Sequence, residues 1–255
     1  MTFDKRQTVR EIAITHPATV RVFENLGIDY CCGGKRPLEE ACEKANVKIE
    51  TLMLQLGVLE GSSVSPEEHA QERGWAGAPL SDLTTHIINR HHHYVRQEAP
   101  RVEVLLQKVV SRHSEAHPEL RAIQETFIAL SQELFAHMMK EERVLFPFLE
   151  QMEVAKRTGG PGPAGCFASV EFPIARMLAD HDDAGALTSK IRELSSNYQV
   201  PDGGCPTYHG LYHALEEFER DLHHHVHLEN NILFPRAVEM ERSLLETAHR
   251  TPQAH

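Results

Sequence analysis

Two segments of this chain set a glutamate four residues after a histidine and end on the same apolar triplet. His137 and Glu141 precede Leu145, Phe146 and Pro147, and 88 residues later His225 and Glu229 precede Leu233, Phe234 and Pro235, with Leu134 matched by Leu222 and Val144 by Ile232. A further histidine stands 45 residues ahead of the first copy, His92, and 44 ahead of the second, His181. Residues four apart share a helix face, so each pair can reach one metal ion or simply pair with each other. Taken singly, such a short motif more often marks a surface charge pair than a site. The count of donors changes that reading. Four imidazoles and two carboxylates are too many for one four-coordinate zinc ion. They suit two ions of five or six coordination, with both carboxylates bridging and open positions left for water, hydroxide or a small ligand. The mixed nitrogen and oxygen set fits iron or manganese, and the helical, carboxylate-bearing context favours iron.

The elements that must hold these donors follow from apolar periodicity. Leu120, Ile123, Phe127, Leu130, Leu134, His137, Glu141, Val144 and Phe148 alternate steps of three and four, as do Leu211, Leu215, Phe218, Leu222, His225, Glu229 and Ile232. His181 lies among Ile174, Met177, Ala184, Ile191 and Leu194, and His92 among Ile88, Val95, Ala99, Val102, Leu106 and Val109. Each stripe thus carries polar groups into an apolar seam, where unpartnered carboxylates cost several kcal/mol each. No Lys or Arg at matching seam positions offers compensation, and a shared metal centre does. The spacing predicts an all-α chain in which a small N-terminal helical domain (1–57) precedes a linker (58–78), an up-down four-helix bundle (79–247) and a tail (248–255). Pro79 with Ser81, Pro118, the Gly and Pro cluster at 158–165, and Pro201 with Gly203 and Gly204 mark its boundaries. Pro100 is expected to kink the first bundle helix. In the N-terminal domain, helical patterns cover Val9 to Ile14, Ala18 to Leu26, Leu38 to Ala45 and Ile49 to Leu56.

Composition narrows the function. Twenty-six basic against 37 acidic residues give a net charge of −11, which argues against a sequence-independent grip on nucleic acid. Apolar stretches are short and the first residues lack a signal core, so a soluble cytoplasmic protein without a membrane partner is expected. Five cysteines among 255 residues read as reduced thiols, not a disulfide framework.

Cys31 and Cys32 are adjacent and followed by Gly33 and Gly34. A disulfide between neighbours is strained, whereas the glycines allow close backbone approach and exposure of the thiols at a helix start, where a thiolate is stabilised. The pair is therefore a redox or iron-transfer candidate, set against a buried turn. Cys42 reads as packing, and Cys166 and Cys205 lack metal-ligand spacing. Among the other histidines, His91 is the alternative to His92, His93 falls on a polar row, His86 is structural or supporting, and His223, His224 and His227 fall off the seam. Glu133, one turn before His137, and Asp180, beside His181, are candidates to steer ligands or pass protons, set against a solvated helix face.

Asp29-Tyr-Cys-Cys-Gly-Gly-Lys35, His137-Met-Met-Lys-Glu141 and His225-Val-His-Leu-Glu-Asn-Asn231 together resemble the iron-sulfur cluster repair di-iron proteins, the RIC family, whose bundle is hemerythrin-like. The resemblance spans nearly the whole chain. It implies metal ligands at His92, His137, Glu141, His181, His225 and Glu229, the same six reached from the repeat. It also implies a cofactor of two non-haem iron ions, carboxylate-bridged and oxo- or hydroxo-bridged when oxidised. The implied role is stress response: repair of iron-sulfur proteins damaged by oxidative or nitrosative stress, by iron donation, with nitric oxide or dioxygen as small ligands, an unidentified electron donor and room for a homodimer. Reduction of nitric oxide to nitrous oxide, or sensing of nitric oxide or oxygen, are the alternatives. The family carries an acidic residue at both Glu133 and Asp180, and Asp180 is shorter than its usual glutamate, so a proton relay there would have a shorter reach.

Overall fold

The computed structural model describes residues 3–59, 74–163 and 167–250, and these are helical apart from turns and one backbone bridge between Thr8 and Pro37. Most of the expected linker, Cys166 and the end of the expected tail lie outside the described residues.

Four short helices form the N-terminal unit: α1 (Val9–Thr15), α2 (Thr19–Asn25), α3 (Leu38–Lys44) and α4 (Ile49–Leu59). Thr8 starts α1 with a reciprocal cap, its hydroxyl accepting from the Glu11 amide at 3.2 Å while the Glu11 carboxylate accepts from the Thr8 amide at 2.9 Å. Val9, Ile12, Phe23, Leu38, Leu52 and Leu56 are fully buried in a core of this unit's own.

Four long helices follow. Helix α5 spans 80–113, with a π-helical turn at Ile88–His92 between α-helical Leu80–Ile87 and His93–His113. Helix α6 spans 119–158, with a π-turn at Glu141–Leu145 between Glu119–Lys140 and Phe146–Thr158. Helix α7 (Glu171–Leu194) is α-helical throughout, and α8 spans 206–250, with a π-turn at Leu228–Leu233 between Pro206–His227 and Phe234–Arg250. Helix α6 packs against α5 and α7, and α8 packs against α5. Gly159, in the left-handed region at φ 66°, ends α6 where a side chain would be strained.

The π-turns correct the expected seam. A π-turn inserts a residue and rotates everything after it, so the buried face of α6 passes from Glu141 to Leu145, Leu149 and Met152, leaving Val144 45% exposed and Phe148 half-buried. Such turns are frequent at functional sites. The irregularity in α5 likewise falls at Ile88–His92, while the α-helix continues through Pro100.

The internal repeat extends beyond the motif that reveals it. Glu153 accepts from the amides of Leu80 and Ser81 at 2.7 and 3.1 Å at the start of α5, and Glu241, again 88 residues on, accepts from the amide of Val170 at 2.8 Å just ahead of α7. Each is a carboxylate at a helix N-terminus, where unpaired amides favour negative charge. Trp75, expected in the linker, packs against His86 and the apolar layer containing Leu80, Leu145 and Phe234.

Candidate metal centre

The six side chains singled out by spacing meet between two apolar layers of the bundle, one including Val102, Phe127 and Phe218 and the other Leu83, Phe146 and Phe234. His92, His137, Glu141, His181, His225 and Glu229 are all buried there. Their ligand atoms form two groups, His92, Glu141, His225, Glu229 and His137, Glu141, His181, Glu229, which share both glutamates. Within the first group, His92 Nε2 is 3.2 Å from His225 Nε2 and 3.4 Å from Glu141 Oε2, and His225 Nε2 is 3.0 Å from Glu229 Oε1. Within the second, His137 Nε2 is 3.1 Å from His181 Nε2 and 3.2 Å from Glu141 Oε1, and His181 Nε2 is 3.1 Å from Glu229 Oε2. Each carboxylate thus offers one oxygen to each group. Donors about 2.1 Å from one ion stand about 3.0 Å apart at right angles and about 3.4 Å apart at the tetrahedral angle, which brackets these separations.

The surroundings favour positive charge at the centre. His92 Nδ1 lies 2.6 Å from Glu142, His137 Nδ1 3.4 Å from Asp180 and His181 Nδ1 2.7 Å from Asn230 Oδ1. With Nδ1–H donating outward, the Nε2 lone pairs of the neutral rings point inward at one another. Both oxygens of Glu141 and one of Glu229 are buried without a hydrogen bond. Burial opposes charge on His92 and His137, yet the neighbouring glutamates outweigh it, raising His92 and lifting His137 to about 9. Burial also acts to protonate the glutamates, but the imidazoles hold Glu141 below, and Glu229 well below, the ordinary carboxylate value. Protons provide that positive charge in the chain alone. Two metal ions would provide it while leaving the outward hydrogen bonds in place.

The remaining expectations divide. His92, not His91, joins the group; His91 is buried behind it, stacked on His225 at 5.5 Å and 3.1 Å from Asp221. Burial keeps His91 neutral and raises Asp221 to about 6. Asp180 does face one of the six donors, but that of α6, His137, and it also pairs with Lys140 and Arg176. Glu133 is exposed, because it falls to the side of the buried row that Leu130, Leu134, His137 and Glu141 form along α6. The supporting groups that spacing missed are Glu142 and Asn230, each next to a glutamate of the repeat and inside a π-turn. His227, expected off the seam, is buried against Tyr30 and accepts from Asn231 Nδ2 at 2.9 Å.

Cys31 and Cys32 lie in the loop between α2 and α3, six residues or more ahead of the first residue of α3, Leu38, so no helix start stabilises a thiolate. Cys32, burial and the Asp29 charge instead push the Cys31 thiol well up. The loop sits directly on the bundle. Asn231 Nδ2 donates to the Tyr30 carbonyl at 3.0 Å, Asn230 Nδ2 to the Cys31 carbonyl at 3.4 Å, and Cys32 Sγ is 3.8 Å from the His181 carbonyl. Gly34 permits this seating, since a Cβ there would come within 2.8 Å of the Tyr30 carbonyl and 3.1 Å of Asn231. Cys42 is buried in the N-terminal core.

Comparison with known proteins agrees with this arrangement. The hemerythrin HHE cation binding domain matches residues 83–237, and a domain of unknown function, DUF542, matches residues 5–60. The iron-sulfur cluster repair protein YtfE of Pectobacterium atrosepticum is 36% identical over 92% of this chain and 98% of its own length. This chain belongs to the hemerythrin-like iron-sulfur cluster repair family. Its relatives of the same name in Edwardsiella ictaluri and Yersinia pestis are 38% identical over 89% of this chain and 95% of theirs, and 34% identical over 93% and 99%. Membership in a hemerythrin-like family implies a non-haem di-iron centre, and the buried His and Glu groups are where this chain could hold one. No helix among the described residues is long and apolar enough to cross a membrane.

Proposed function

We propose that this chain repairs damaged iron-sulfur clusters by donating iron held in the bundle. His92 and His225 would hold one ion and His137 and His181 the other, with Glu141 and Glu229 bridging both. The single observation that carries the reading is the pair of buried four-donor groups sharing two carboxylates, one of them adjoining the cysteine loop. When bound, the iron pair supplies redox chemistry and a labile cation. The chain's own residues do the rest: Glu142, Asp180 and Asn230 orient the imidazoles, and the apolar layers exclude bulk water. Cys31 and Cys32 would serve as the redox or transfer groups toward an acceptor, the damaged iron-sulfur protein, in a reducing cytoplasm.

Iron-loaded protein should restore a damaged [4Fe-4S] enzyme beyond an equal dose of free ferrous iron. His137→Ala should lose the iron of its own group and with it repair, whereas Cys31→Ser with Cys32→Ser should keep both irons and repair poorly. Recovery no better than with free iron would remove the proposal.

A further inference from the structure

Outside the bundle, the loop between α2 and α3 gathers a second kind of donor set. The Cys31 and Cys32 sulfurs are 3.9 Å apart, Cys31 Sγ is 3.5 Å from Asp29 Oδ1, and all three ligand atoms lie within 4.8 Å of one another. A tetrahedral ion about 2.3 Å from each sulfur and about 2.1 Å from a carboxylate oxygen sets the sulfurs about 3.8 Å apart and sulfur and oxygen about 3.6 Å apart. A disulfide would need the sulfurs about 2.05 Å apart. The thiols therefore stand at the separation of two ligands on one ion.

We infer that Asp29, Cys31 and Cys32 form a third metal site, separate from the bundle centre, for a single thiophilic divalent cation. The Cys32 amide donates to Asp29 Oδ1 at 2.9 Å and Arg36 stands 3.9 Å from the other oxygen, so the carboxylate is fixed in place. Three protein donors leave a fourth position open, as in sites that exchange ligands. It faces a cavity of about 560 Å³ between the N-terminal unit and the bundle, lined also by Asp182, Gly185 and Arg192, large enough for water or a ligand atom from another protein. Cys31 is buried and Cys32 half-buried, so the site is held by the fold on one side and reached through the cavity on the other. On binding, the cation replaces two thiol protons, which pass to solvent.

The site is joined to the bundle centre. Asn230 bridges from His181 Nδ1 at 2.7 Å to the Cys31 carbonyl at 3.4 Å, so one amide touches both a bundle histidine and the backbone of the outer site. An ion released from the His137 and His181 group would meet sulfur ligands next. This direction of travel, not the site itself, rests on the iron-donation reading.

Cobalt(II) is the probe, because its sulfur-to-metal charge-transfer band reports thiolate ligation alone. Added under a phosphine reductant to the full chain already loaded with iron, one equivalent should produce the band. Cys31→Ser with Cys32→Ser should abolish it, Cys42→Ser should leave it, and Asp29→Asn should weaken cobalt binding by about tenfold or more. No band in the wild type, a band that survives in the double serine variant, or Asp29→Asn binding as the wild type does would each overturn the site. Because His137→Ala should retain the band while losing bundle iron, failure of cluster repair and failure of this site are read separately.

Discussion

Stripped of metal, the centre should show a stability profile with a definite sign. The perturbation is a rise in pH from about 6.5 to about 9 on chelator-treated protein. His137 has its pKa lifted from 6.5 to about 9 against the opposing effect of burial, by Glu141 and Glu229. Below the lower value the ring is protonated in folded and unfolded chains alike, and the full stabilisation is present. Above the higher value it is neutral in both, and the stabilisation is gone. The gap corresponds to about 3 kcal/mol, an upper figure because His92 draws on the same Glu141 charge. Glu141 and Glu229, lowered in the fold, act in the opposite sense, contributing above the ordinary carboxylate value and losing that contribution as pH falls. Denaturant midpoints of the bundle should therefore fall between about pH 6.5 and about pH 9. Metal-loaded protein should lose this alkaline fall, because the ions take the place of the protons. A metal-free midpoint that is flat or rising over that range would refute the electrostatic account of the centre.

Two further outcomes follow from the surroundings. Glu142→Gln keeps the size of the side chain but removes the charge 2.6 Å from His92 Nδ1, and should weaken the ion on the His92 and His225 side by about 10- to 100-fold in a chelator competition; unchanged affinity would show that Glu142 does not tune the ligand. Arg192→Ala removes the guanidinium 2.7 Å from buried Glu219, leaving it the Tyr198 hydroxyl, also at 2.7 Å, and His223 Nε2 at 3.8 Å. Because Arg192 is 40% exposed, the cost should be roughly 2 kcal/mol, seen as a fall of several degrees in Tm, and no fall would mean that solvent already supports Glu219.

The bundle and its six donors were legible because two copies of one motif recur at a fixed offset on apolar stripes, and a repeated polar intrusion into a core has few physical explanations. The N-terminal helices were legible for a simpler reason, the Pro and Gly residues that separate short apolar runs. The π-turns were not. They follow from how each helix accommodates its buried polar group, so a uniform helical period carried past Glu141 put Val144 inward and Leu145 out of account. Glu142 and Asn230 escaped for the same reason, since a residue beside a seam glutamate reads as solvent-facing until the π-turn brings it round. The seating of Cys31 and Cys32 against His181 is a long-range contact with no local periodicity to announce it, and the expected helix start beside the thiols is absent because α3 begins only at Leu38.

The central claim is a dinuclear iron centre built on two shared carboxylates. Its most direct test is iron content per chain with Mössbauer spectroscopy of iron-57 protein prepared without oxygen, comparing wild type, His92→Ala and Glu229→Gln. The account predicts two coupled irons in the wild type, one retained in His92→Ala, and weakened binding of both in Glu229→Gln, because only the glutamate belongs to both donor groups. A wild type holding a single ion, or a Glu229→Gln protein that keeps two coupled irons, would contradict it.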